Sequence, residues 1–475
     1  MNPSGDKPPG SQIPATRESA SVEAVARVKT PSQRVPWFLR VFQPARALPV
    51  TLTDPAAIAR KYKLWQIRVL FFSTAGYATF YFVRKNLGIA MPFMGQDLGI
   101  TKESLGLFLT LHGVLYGISK FFNGFLADRA NAAVFMSVAL IASALLNISF
   151  GLSATVLAFG ILWMLNGWFQ GMGFPPCARL LANWFPPTQL ATKFSIWNSS
   201  HNLGSIFIVL LCGVLAPINW RLCFFVPAAI ALAAAVVIWF MMPDTPPSVG
   251  LPEAEGTHSE AGDQSHGEDF KAFVREHVFR NRYIWILSAA NFFVYTIRYA
   301  VFDWGATMLM EAKHIKIMHA AGMISGFEAC GFMGAMLGGW LSDRYLGGRT
   351  ARTCVAYMAL AGVSVFLFWK IHTQSELVIT GLLCATGFFV YGPQCLLAIA
   401  CANLATKRAA ATAVGLTSIF GYASTVLSGW GMGYLVHHYG WDAGLLFLVA
   451  CAAIGTLLFI LVWPAKAHGY KTSAA

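Results

Sequence analysis

The sequence predicts an all-α membrane protein with twelve transmembrane helices in two six-helix, pseudo-symmetric halves. Three observations predict it. The 475 residues are 56% hydrophobic and only 12% charged, with a mean hydropathy of +0.57, about half the charged share of a soluble domain. Apolar runs long enough to cross hydrocarbon as helices recur along the chain, and the two-residue alternation of a membrane barrel is lacking. Landmarks also repeat at one spacing. Tyr81 and Arg84 return as Tyr295 and Arg298, and Gly124, Asp128 and Arg129 return as Gly339, Asp343 and Arg344, 214 and 215 residues further on. Two landmarks at one offset indicate two copies of one unit, and parallel repeats with a midplane site between them are a transporter architecture.

The elements follow in order. Residues 1–64 form a polar tail with ten Lys/Arg, four Asp/Glu and no signal-peptide apolar core. The tail is expected to be mostly disordered, and its stretch from Trp37 to Phe42 suits an anionic membrane surface; an organellar transit peptide is the weaker reading. The N-terminal half, 65–242, holds helices near 66–95, 104–127, 132–152, 155–180, 189–216 and 221–242. A linker, 243–282, begins with Pro, Gly, acidic and His residues and ends basic. The C-terminal half, 283–464, holds helices near 283–311, 318–342, 352–371, 376–404, 408–436 and 442–464, and residues 465–475 form a second tail. Short connections on the N-terminal face carry twelve Lys/Arg against five opposite (Lys102, Arg221, Lys313, Lys316 and Lys370), which places both termini in the cytoplasm. The net charge of +13 lies in the tail, the loops and a few buried cations, so nucleic acid is excluded as a partner. The nine cysteines show no metal-type spacing and read as small buried hydrophobes. No P-loop, metal cluster or activated nucleophile is present, so neither an enzyme nor a cofactor is expected, and transport would be driven by gradients.

Four cations fall inside the apolar runs: Arg84, Lys85, Lys120 and Arg298. Each costs roughly 2.5–3.5 kcal/mol to insert. Only Asp303 and Glu328 oppose them, leaving a surplus of about two positive charges, which calls for an anion. Arg84 and Arg298 occupy equivalent places in the two copies. Two guanidinium forks, one from each half, match a phosphate bidentately; the competing reading is a pair of structural ion pairs with Asp303 and Glu328. Lys120 lies about 12 Å inside its helix end, at 1.5 Å per residue, and reads as a second charge on the ligand or its path. Lys85 points about 100° away from Arg84 and either touches the ligand or pairs with an acid. His201, in mid-helix, is a packing residue or a donor to phosphate. Tyr77, Tyr81, Tyr116, Tyr295, Tyr391 and Tyr422 accompany the cations, and phenols at this depth need partners. Asp128–Arg129 and Asp343–Arg344, at the cytoplasmic ends of equivalent helices, suit a latch that holds one gate and breaks when the other opens.

The paired G-x-x-x-D-R sequences resemble the loop signature of the major facilitator superfamily. The stretch Trp168 to Arg179 resembles a diagnostic segment of its organophosphate:phosphate antiporter family. So do Phe82 to Asn86, Ser119 to Phe121, Trp197 and Asn198 with His201 and Asn202, Arg298 and Tyr299 with Asp303 and Trp304, Tyr391 to Pro393, and Phe420 to Tyr422. The likeness covers about residues 64–464. It implies a multi-pass protein of a bacterial inner membrane that exchanges an organic phosphate (glycerol phosphate, phosphoglycerate or a sugar phosphate) for inorganic phosphate by alternating access. Arg84 and Arg298 would clamp the phosphate. Lys120, His201 and the six tyrosines would line the cavity, with Asn198 and Glu328 nearby. One departure counts against hexose phosphate: hexose-6-phosphate carriers of this family resemble one another in an Asp and a Lys in the eleventh helix, and this chain has Val414 and Thr417 in that neighbourhood. Two alternatives remain: a sugar-phosphate sensor with a histidine kinase partner, and a proton symporter using Glu328 or Asp303.

Overall fold

The apolar runs fold as helices, and polar side chains decide where each begins and breaks. The structure, a computed structural model, describes residues 42–465 except 51, 53, 254–271 and 346–349; the side chains of 187, 191, 343, 406–408, 410 and 411 are also outside the description. The tail through residue 41, the middle of the linker and residues 466–475 therefore lie outside the described residues.

The first half contains α1 (Pro55–Phe82), α2 (Leu87–Leu98), α3 (Lys102–Ala127), α4 (Ala132–Leu152), α5 (Val156–Gly171), α6 (Phe174–Trp184), α7 (Pro187–Asn198), α8 (Ser200–Leu215) and α9 (Leu222–Met241). The second contains α10 (Arg282–Ala312), α11 (Ile317–Tyr345), α12 (Thr350–Lys370), α13 (Glu376–Ala423) and α14 (Met432–Val462), with a π-helical turn at Val426–Gly431 before α14. Among the described residues, nine helical stretches are long and apolar enough to cross a membrane. They correspond to the twelve spans as follows. The first span is broken between α1 and α2, and α1, though 28 residues long, is too polar to be counted; the fourth is broken between α5 and α6, of 16 and 11 residues, each too short; and the stretch Thr412–Val462 holds two spans that turn at Gly440, whose φ of 79° suits glycine. Spans ten and eleven share α13. Thr417 Oγ1 lies 3.2 Å from Cys401 Sγ, whereas sixteen residues of straight helix would separate them by about 24 Å, so the chain reverses between them.

Three boundaries differ from the sequence reading, each for a local reason. The first helix starts at Pro55, inside the expected tail, because the Asp54 carboxylate accepts from the Ala56 and Ala57 amides, both at 3.1 Å. The fourth span breaks at Met172–Gly173 because Pro175 and Pro176 start a new helix. The first span breaks at Val83–Asn86, and buried amides hold the break open. The Val83 carbonyl accepts from Asn147 Nδ2 at 3.0 Å and Asn166 Nδ2 at 2.8 Å, while Asn86 Nδ2 donates to Asn147 Oδ1 and to the Cys223 carbonyl. Irregular backbone at membrane depth survives only where such partners satisfy it.

One end of the bundle carries the start of α1, the linker and the end of α14. At the opposite, far end the halves are sealed together. Thr110 Oγ1 donates to the Thr425 carbonyl at 2.8 Å and accepts from the Trp430 amide at 2.9 Å. Lys102 pairs with Glu311 at 3.0 Å, and Glu103 faces Trp430 and His438. Gly106 permits the approach: a Cβ there would lie 2.4 Å from the Gly429 carbonyl.

Candidate functional site

Between the halves lies a cavity of about 470 Å³. Eleven of the twelve expected binding residues line it: Arg84, Arg298, Lys120, His201, Asn198, Tyr77, Tyr81, Tyr116, Tyr295, Tyr391 and Tyr422. Its other lining residues, such as Phe194, Met336, Ala398 and Val414, lie on the linker-end portions of their spans. With the far end sealed, the cavity therefore opens towards the linker. Glu328 stands behind the wall, 1% exposed, and engages the site through Tyr391 and Arg298.

The cations divide unevenly. Lys85 Nζ meets Asp303 Oδ1 at 2.7 Å, so this lysine takes the acid rather than the cavity ligand, and the pair joins the two halves. Arg298 has Glu328 at 4.0 Å and lies over the Tyr391 ring at 4.5 Å. Glu328 is itself held: Tyr391 donates to Oε1, and Asn202 Nδ2 donates to Oε2 at 3.0 Å. Arg84 sits in the break of the first span, over the rings of Tyr116 (4.1 Å) and Tyr81 (5.2 Å). Lys120 lies 4.0 Å from the centre of the Phe174 ring and donates to Tyr422 at 3.1 Å. Among the described residues, no carboxylate lies within ion-pair distance of Arg84 or Lys120. The two uncompensated charges thus belong to Arg84 and Lys120, both in the first half. Aromatic faces offset part of their burial, at roughly 0.5–2 kcal/mol per contact, but leave the charge free for an anion.

His201 packs its ring 6.1 Å from Tyr81, and its buried Nδ1 has no partner among the described residues. Phe174, Asn202, Tyr299 and Gln394 belong to the lining but had no assigned role from sequence. The first three stand inside or beside quoted motifs, so their positions were visible; Gln394 lies one turn beyond Tyr391. Of the two departure positions, Val414 lines the cavity, whereas Thr417 is buried against the Ala413 carbonyl and Cys401. Of the expected latch residues, Asp128, Arg129 and Arg344 are exposed with no ion pair among the described residues, and the Asp343 side chain lies outside them. The linker end of the first half is tied instead by Arg179, which donates to the Ala130 carbonyl and to Asp244 Oδ1 at 3.1 Å. Asp244 also accepts from the Ala132 amide at 3.0 Å. Sequence reasoning missed this pair because Asp244 reads as an ordinary linker acid.

The Major Facilitator Superfamily profile matches residues 73–429. A probable hexose phosphate transport protein of Chlamydia muridarum is 36% identical, with 91% of this chain and 98% of that protein covered. The glycerol-3-phosphate transporter of Bacillus subtilis is 34% identical over 90% of this chain and 98% of its own length. The membrane sensor protein UhpC of Salmonella typhimurium is 34% identical, covering 88% and 96%. Among solved structures, a bacterial homolog of the human lysosomal transporter Spinster, in an inward-facing and unoccupied conformation, superposes with a TM-score of 0.71 at 16% identity, over 84% of this chain and 97% of that one.

Proposed function

The chain belongs to the Major Facilitator Superfamily, alongside organophosphate transporters and a related sensor that match it nearly end to end, and from that premise we propose that it exchanges an organic phosphate ester for inorganic phosphate across a bacterial inner membrane. The observation that carries this reading is that Arg84 and Arg298, at repeat-equivalent positions, line one cavity that opens at one end and is sealed at the other. The names of the relatives put glycerol phosphate and hexose phosphate among the cargoes to test, with phosphoglycerate beside them.

The mechanism follows from the charges. An unoccupied cavity carries the charges of Arg84 and Lys120 in a medium of low dielectric, where they repel. A dianionic phosphate offsets both and draws Arg298, across the cavity, onto the same group. With the charge neutralised, the linker end closes over the ligand, Asp128–Arg129 and Asp343–Arg344 latch it, and the far-end contacts through Thr110, Lys85 and Lys102 part. Release resets the repulsion, so the protein returns loaded with the other phosphate. No bond is made or broken in the cargo. Both termini lie on the cytoplasmic side in this reading. Asp303 is paired and Glu328 has two hydrogen-bond donors, which favours structural roles for both over proton carriage.

Vesicles reconstituted with the protein and loaded with phosphate should take up labelled glycerol phosphate, and a protonophore should leave the uptake unchanged. Equal uptake without internal phosphate would rule out obligatory exchange. The 34% identity to a sensor supports one second reading, a sugar-phosphate receptor acting through a histidine kinase. That reading predicts phosphate-ester binding without net exchange, and a transport-dead variant that still switches its target gene.

A further inference from the structure

Behind Arg84, on the far-end side, lies a second and smaller chamber of about 30 Å³. Arg84, Tyr299 and Tyr422 line both it and the main cavity, so these residues form part of the wall between them. Lys85, Asp303, His112, Trp163 and Thr425 also line it. Its roof is the far-end seal: Thr425 lines the chamber and accepts from Thr110 at 2.8 Å. His112 is 6% exposed. Its Nδ1 lies 3.1 Å from the Trp163 carbonyl, which accepts only if Nδ1 carries the proton. The lone pair of the neutral ring is then on Nε2, which is buried and has no partner among the described residues.

We propose that this chamber is the outer phosphate station of the transport cycle, and that His112 Nε2 binds the P–OH group of inorganic phosphate there beside Arg84. The inference rests on the exchange reading above. With the roof shut the space accommodates about one oxygen-sized group. When the far end opens, Thr110 and Thr425 separate, and the chamber becomes the mouth through which Arg84 meets the outside. Inorganic phosphate keeps at least one P–OH at neutral pH, whereas a phosphate monoester, with its second pKa near 6, is mostly the dianion and has none. An imidazole held as an acceptor therefore recognises the inorganic ion over the ester. The placement also fits the nested inverted repeats of each six-helix half, which relate the second span to the fifth. His112 on α3 serves the outer chamber and His201 on α8 the inner cavity.

His112→Asn separates this role from packing, because the Asn amide keeps a donor for the Trp163 carbonyl and loses the acceptor at Nε2. Phosphate self-exchange, followed in right-side-out and everted vesicles, should show the KM for phosphate raised about tenfold at the outer face. It should be unchanged at the inner face, with the outer KM for glycerol phosphate moved less and thermal stability retained. Equal KM changes at both faces, or none at either, would overturn the station while leaving the exchange reading intact. Wild-type vesicles that exchange no phosphate would overturn both. His112→Gln, which can place a carbonyl near the Nε2 position, should restore part of the outer-face affinity; no recovery, with the Gln variant folded, would count against an acceptor role.

Discussion

Arg84 sits where its span breaks, and Arg298 sits inside an unbroken α10. The first has aromatic faces around it and, among the described residues, no acid within ion-pair distance; the second has Glu328 at 4.0 Å and the Tyr391 ring above it. Lys120, the other uncompensated cation, also belongs to the first half. The repeat that made the two arginines look equivalent therefore produces unequal partners. The first half supplies the free charge that attracts an anion. The second supplies a fork already balanced by an acid, with which an occupant must compete. A carrier must release what it binds, and a half-neutralised clamp lowers the cost of release.

The largest test of this inequality exchanges each fork for a point charge. Arg84→Lys should lower kcat/KM for phosphate exchange about a hundredfold or more, because two charge-assisted hydrogen bonds of roughly 1.5–3 kcal/mol each lose their geometry. Arg298→Lys should cost about tenfold, since Glu328 already shares that charge. Both proteins should remain folded by thermal unfolding in detergent. Equal losses would show that the asymmetry has no consequence for transport.

The sequence made the twelve spans, the repeat and eleven of the residues that line the cavity readable, because hydropathy and spacing report burial depth and helical face. It left the pairing of charges open. Lys85 and Arg84 are neighbours, and only the turn of backbone at Val83–Asn86 decides that the lysine reaches Asp303 while the arginine faces the cavity. That turn depends on Asn86, Asn147 and Asn166, three amides in three separate spans, whose meeting no local pattern encodes. A polar side chain in an apolar run was the available signal, and three of them at similar depth would have pointed to irregular backbone. Asp244 was missed for the opposite reason: in a polar linker an acid carries no such signal.

The break itself is the next place to press. Asn147→Ala removes one of the two donors to the Val83 carbonyl and the acceptor of Asn86. The Val83 carbonyl keeps Asn166 and Asn86 keeps the Cys223 carbonyl, so one Asn86 N–H is left unpaired, at about 1–3 kcal/mol; the unfolding midpoint should fall and exchange should weaken with it as Arg84 loses its setting. Thr296→Val, beside Arg298, removes only a hydroxyl bonded to the Phe292 carbonyl of its own helix and should do little. If Thr296→Val proved as damaging as Asn147→Ala, the two arginines would not differ in how their backbones are held.

The smallest effect tests the compensated fork directly. Glu328→Gln keeps an oxygen for Tyr391 and a side chain of nearly the same shape, gives up the acceptor of Asn202, and removes the negative charge facing Arg298. Coulomb attraction between a phosphate and Arg298 then has no internal competitor, so equilibrium binding should tighten, by about tenfold if about 1.4 kcal/mol of a larger unscreened term survives in this partly solvated cavity. Turnover should fall over the same range, because release must now free the ligand from two unshared guanidinium groups. Binding measured by calorimetry and exchange measured in vesicles should therefore move in opposite directions. Weaker binding in Glu328→Gln would mean that the acid positions Arg298 rather than competing for it, and the two halves would then differ in geometry but not in charge.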